Sequence, residues 1–99
     1  MFYRYEGKNR KGQFVGIFCV LNPSQRRYFN RFLKAPKWYD DNPDVDSKCW
    51  FTEEGYQKYH KVIEDLITEL QNVEVRLLKT ETLENLVVCG KIQCIQLVN

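Results

Sequence analysis

Asn42, Asp44 and Asp46, followed by Ser47 and Glu53, place oxygen ligands at positions 1, 3, 5 and 12 of a calcium-loop spacing. The match breaks down at its turning points. Position 1 is Asn, Pro43 follows it directly, Ser47 occupies the sixth position where a sharp turn calls for glycine, and Pro36 interrupts the entering helix well before the loop. These residues are expected to form a turn in which Asn and Asp side chains fold back on their own backbone, with no metal bound.

His60 is the only histidine and stands four residues before Glu64, a spacing at which the carboxylate could orient the ring as in a general base. With Cys49 it would make a thiol nucleophile and its base, although neither residue carries a local signature of that chemistry. No G-x-S-x-G or H-E-x-x-H occurs, and Gly7-x4-Gly12 is followed by Gln13, so it is not a phosphate-binding P-loop. No catalytic residue and no cofactor are expected. The remaining cysteines, Cys19, Cys89 and Cys94, give no close pair of the zinc-binding kind, and free thiols are expected throughout.

Charge is more informative than any motif. Residues 1–38 hold nine Lys or Arg against one acid, Glu6, whereas residues 39–99 hold six against twelve. The basic third interleaves Tyr3, Tyr5, Phe14, Tyr28 and Phe29 with Arg4, Lys8, Arg10, Lys11, Arg26, Arg27, Arg31 and Lys34. Rings on which bases stack and cations that meet phosphates make a single-strand or RNA-binding module one reading. A pI of about 8.3, below the value above about 9 of dedicated nucleic-acid domains, weighs against it. The other reading rests on residues 34–51, which hold both tryptophans and four aspartates. Trp and Tyr bury much area at little entropic cost where one protein grips another. Trp38 and Tyr39, the acidic tip Asp40, Asp41, Asp44 and Asp46, and the basic ridge Arg26, Arg27, Arg31 and Lys34 are therefore the candidate partner-binding residues. Trp50 is expected to be core instead, packed under the following helix.

The elements that must position these residues follow from periodicity. Strands are expected at 2–6 and 13–20, flanking a glycine-bounded turn. Asn22-Pro23 starts a helix that should run to about Lys34 or Ala35, with Tyr28, Phe29, Phe32 and Leu33 on its buried face. A second helix begins at Thr52, with Phe51 and Tyr56 at the positions of a hydrophobic staple, and buries Tyr59, Ile63, Leu66, Ile67 and Leu70. Residues 73–80 should form a strand. Residues 86–98 are either one strand or a hairpin turning at Gly90-Lys91, and in that hairpin register Cys89 faces Ile92 and Cys94 faces Val87. The sum is a single α+β domain, residues 1–99, with a mainly antiparallel sheet of four to five strands and two helices on one face, in the order ββααβ(β). An edge strand of that sheet could pair with a second copy to make a homodimer.

The longest unbroken apolar-and-glycine run, Phe14 to Leu21, has 8 residues where a membrane span needs about 20, so a cytoplasmic protein without membrane contact is expected. The stretch Cys49-Trp-Phe-Thr-Glu-Glu-Gly-Tyr-Gln-Lys-Tyr59, with Tyr3-Arg-Tyr-Glu-Gly7 and Lys34-Ala-Pro-Lys-Trp-Tyr39, resembles small accessory proteins of bacteriophages and mobile elements of Gram-positive bacteria. The resemblance implies a small non-enzymatic protein that binds and blocks a host protein, as anti-CRISPR and other anti-defence factors do. It assigns no residue a role.

Overall fold

A computed structural model describes residues 1–98. It is an α+β fold built on a six-stranded antiparallel sheet. The strands are β1 (Phe2–Lys8), β2 (Phe14–Gly16), β3 (Ser47–Phe51), β4 (Val75–Thr80), β5 (Leu86–Cys89) and β6 (Gln93–Leu97). Three helices accompany them, α1 (Pro23–Asn30), α2 (Trp38–Asp41) and α3 (Glu53–Thr68), with a 3-10 turn at Ile17–Val20. Among the described residues no helix is long and apolar enough to cross a membrane.

β1 organises the sheet because its two edges are used differently. One edge pairs with β4 from Phe2 opposite Thr80 to Gly7 opposite Val75. The other edge is divided: Tyr3 pairs with Phe51 of β3, while Glu6, Gly7 and Lys8 pair with Gly16, Val15 and Phe14 of β2. Between them, Arg4 and Tyr5 face the fork where β2 and β3 part. Beyond β3 the sheet continues through β6 to β5.

Side chains alternate across β1. Tyr3 and Tyr5 point to α3, where Tyr3 stacks on Tyr56 with ring centroids 3.8 Å apart and their hydroxyls donate to Glu53 (2.9 Å) and Glu64 (2.5 Å). Burial and the bond to Glu64 push the Tyr5 hydroxyl far above the usual phenol range. Arg4 and Glu6 point the other way. The core gathers Tyr5, Ile17, Leu21, Phe29, Tyr59, Ile63 and Leu66, with Leu33, Ile67, Leu70, Val75 and Leu77 packed against it.

Helix starts follow their capping chemistry. Asn22 Oδ1 accepts from the Gln25 backbone N–H (2.8 Å) and Gln25 Oε1 accepts from that of Asn22 (3.0 Å), a closed capping box with Pro23 at the first helical position. The hydroxyl of Thr52 caps α3 by accepting from Gly55 N–H at 3.1 Å. Gly55 is required there by close approach: a Cβ on it would lie 2.2 Å from the Ile92 carbonyl oxygen.

Several expectations are corrected. α1 ends at Asn30, four residues before Lys34, because its final turn tightens: Arg31 N–H bonds Tyr28 O and the Phe32 carbonyl is taken by the Tyr59 hydroxyl at 3.0 Å. With that turn lost, Tyr28 and Phe32 do not join the core; they are 47% and 43% exposed and meet edge-on at 5.0 Å. The strand expected at 13–20 stops at Gly16 and turns into the 3-10 segment. The 34–51 segment is not one loop, since α2 forms within it and its last five residues are β3, flanked by β1 and β6. Residues 86–98 form a hairpin, in a different register: Cys89 faces Cys94 with Cα atoms 4.0 Å apart, and the two are joined by a disulfide. A bulge between Leu86 and Val88 accompanies this shift. Phe51 and Tyr56 keep the positions on either side of the Thr52 cap and both pack against the core, where the Phe51 ring also lies 6.3 Å from that of Tyr59.

Candidate functional site

The candidate residues fall into two neighbouring regions. The first is the outer side of α1. Arg27, Tyr28, Arg31 and Phe32 are exposed, so cations alternate with unburied rings around the edge-to-face pair. Arg31 and Lys34 take part in no ion pair among the described residues, and Arg27 donates only to the Ser24 hydroxyl at 3.4 Å. Arg26 departs from the ridge: its guanidinium donates to the Phe18 and Cys19 carbonyls (3.1 and 2.9 Å) and lies over the Phe18 ring, locking the 3-10 turn to α1. Beside the ridge, Ser24 and Tyr28 share a groove with Asp65 of α3 and Glu69, which caps the end of that helix. Gln25 sits at the same junction, donating to Leu66 O (3.3 Å) and Glu69 (3.1 Å). Acids from the second half of the chain therefore stand against the basic helix.

The second region is the segment from Trp38 to Asp46. Trp38 and Tyr39 are half-buried and packed edge-on at 5.6 Å, while Asp40, Asp41, Asp44 and Asp46 are exposed. Asn42 donates through Nδ2 to the Trp38 carbonyl (2.9 Å), as the turn reading requires, and among the described residues no three His, Cys, Asp or Glu side chains converge as a metal site. Trp50 is sealed in the sheet, 7% exposed, with its indole N–H on Gln96 (2.9 Å).

The two regions meet at a cavity of about 610 Å³. It opens in the fork between β2 and β3 and is walled by Phe14, Phe18, Phe29, Leu33, Tyr39 and Val98. Lys34 and Asp46, from opposite regions, stand at its boundary. Arg4 lies at this wall, on the edge of β1 left open between β2 and β3 while its other edge pairs with β4. Its Nε donates to Glu6 (2.7 Å) and its Nη1 to the Cys49 carbonyl (3.0 Å), which ties β1 to β3 across the gap. On the other side Arg76 donates twice to the second Glu6 oxygen (2.8 and 2.6 Å) while its guanidinium covers Phe14, 3.9 Å from the ring centroid. Glu6 is 1% exposed. Burial pushes its carboxyl up, but the hydrogen bonds and charges of Arg4 and Arg76 outweigh burial and hold it below the usual carboxylate range. The triad is not legible in the sequence because Arg76 lies 70 residues from Glu6; the one sign of it is a lone acid, Glu6, among nine cations.

The catalytic pairs do not assemble into a reacting site. Cys49 lines the cavity and gives its thiol hydrogen to Gln93 Oε1 (2.9 Å), not to His60, and burial pushes the thiol up to about 11, against nucleophilic use. His60 stacks on Tyr56 at 5.0 Å with Nδ1 3.4 Å from Glu64, and the same Glu64 oxygen accepts from Tyr5. Glu64 is thereby part of the seam between β1 and α3. The chain matches no protein-family model, and searches of curated proteins and of solved structures return no significant match.

Proposed function

We propose that this chain is a small non-enzymatic binding protein that covers a surface of a partner protein, using the outer side of α1 and the Trp38–Asp46 segment. The observation that carries the reading is the pair Tyr28 and Phe32, large rings left 47% and 43% exposed, each next in sequence to an exposed arginine, Arg27 and Arg31. Exposed aromatic and arginine side chains in one cluster are the composition of interface hot spots. The acidic segment beside Lys34 gives the surface both signs of charge, which fixes register on a partner more than it adds affinity. The resemblance to phage and mobile-element proteins extends the proposal to a host defence protein as the one covered.

A nucleic-acid module remains the second reading, favoured by the same rings and cations. Asp65 and Glu69 beside Tyr28 oppose it, since they repel phosphates from the surface that would hold them. Capture from host lysate, repeated at low and moderate salt, separates the two. A protein interface centred on rings changes little, whereas phosphate contacts weaken steeply. Tyr28→Ala with Phe32→Ala is expected to abolish capture, a loss of more than about tenfold, with the thermal midpoint nearly unchanged. If that variant and Arg27→Glu, Arg31→Glu, Lys34→Glu together still capture what the native chain captures, this surface is not the contact.

A further inference from the structure

We propose that the cavity between β2 and β3 is a binding site for a small organic carboxylate with an apolar body, such as a medium-chain fatty acid, held by Arg4. This does not depend on the partner surface above. At about 610 Å³ the cavity lies within the roughly 300–1,000 Å³ range of small-molecule sites, and like them it combines an apolar wall with few polar groups.

Charge selects the ligand class. The charged side chains at the wall are Arg4, Lys34, Lys48 and Asp46, and behind Arg4 stand Glu6 and Arg76. Four cations thus face two carboxylates. Glu6 is shared by two guanidinium groups, so the triad carries one positive charge more than it neutralises. Arg4 bears that excess in the least exposed position, its side chain 11% accessible against 46% for Arg76. Among the described residues Arg4 uses Nε on Glu6 and one N–H of Nη1 on Cys49. Three of its five N–H groups are left, two of them on Nη2, which extends over Gly16 at the mouth of the fork. A planar carboxylate can accept two of these bonds with charge assistance, a neutral hydroxyl accepts without it, and an ammonium has no acceptor to offer. A Cβ on Gly16 would lie 3.3 Å from Nη2, so a side chain there would require the guanidinium to move by a few tenths of an ångström.

The test is a titration of the full chain with decanoate, decanol and decyltrimethylammonium below their micellar concentrations, followed by amide chemical shifts. Decanoate should bind saturably, shifting Arg4, Val15, Leu33 and Tyr39. Decanol should bind at least about tenfold more weakly, the worth of a charge-assisted hydrogen-bonded head group, and the ammonium not at all. Arg4→Met should erase the preference for decanoate over decanol. Should that variant fail to fold, Ala35→Trp, at an exposed wall residue outside every helix and strand, should weaken both ligands by filling the cavity. Decanol binding as tightly as decanoate, no saturable shift at the wall, or binding unchanged in Ala35→Trp would each overturn the assignment.

Discussion

Glu6 shows how a single buried side chain can hold two guanidinium groups from different strands. Among the described residues its carboxylate is the only acid that Arg4 touches, and Arg4 is itself mostly buried. Glu6→Ala leaves that guanidinium without its partner and is expected to cost about 3 kcal/mol in denaturant unfolding at pH 7. The pH dependence has a definite sign. The folded value of Glu6 lies below its unfolded value of about 4.3, so its contribution is complete above that pH and is lost as pH falls through the folded value. Glu6→Gln should therefore flatten the acid limb of the stability curve below about pH 4, and an unchanged limb would show that other carboxylates control acid unfolding. At Cys49, a thiol at about 11 is ionised in only about one molecule in a thousand at pH 8. Iodoacetamide at that pH should label exposed Cys19 first, with Cys49 modified only on unfolding, as mass spectrometry of timed samples would reveal.

At the scale of elements, what could be read from sequence was what chemistry encodes locally. Asn22-Pro23 and Thr52 mark helix starts through side-chain caps, and Tyr59, Ile63 and Leu66 recur at helical spacing, so α1 begins and α3 forms where expected. β3 was hidden because Ser47-Lys-Cys-Trp-Phe51 is short and follows a proline- and aspartate-rich turn. Its identity as a strand comes from β1 and β6 on either side, not from its own residues. The early end of α1 was less legible: Pro36 offers the Phe32 carbonyl no N–H, and the donor that takes its place is the Tyr59 hydroxyl, 27 residues away. Two of the candidate regions were legible as composition, but their convergence on one cavity depends on the fork in β1, which no local pattern announces. The α3 start also makes a sharp prediction. Gly55→Ala places a methyl against the Ile92 backbone and should destabilise by about 3 kcal/mol, the upper end of the overpacking range, despite the better helix propensity of alanine. A neutral or stabilising effect in chemical denaturation would mean that the β5–β6 turn yields freely.

For the molecule as a whole, the sheet is assembled from distant parts. β1 closes against β4 from the other end of the chain, and β3 is completed by β6. Removing residues 93–98 would strip the partner from β3 along Ser47–Phe51, uncover Trp50 and leave β5 with no strand beside it. Such a truncated chain is expected not to fold, losing its near-ultraviolet dichroism, whereas Trp38→Ala should retain it, because Trp38 lies in a short helix with no buried residue. Loss of structure in both would assign Trp38 to the core.

Cys94 lies directly across from Trp50 in the β3–β6 ladder, and its sulfur is bonded to that of Cys89. An excited indole readily passes an electron to a nearby disulfide, which darkens its emission. The thiol chemistry of the hairpin is thus wired to an optical readout: adding a reductant should brighten the fluorescence of Trp50 while the far-ultraviolet spectrum stays constant, giving a label-free gauge of the oxidation state of this chain wherever it is expressed.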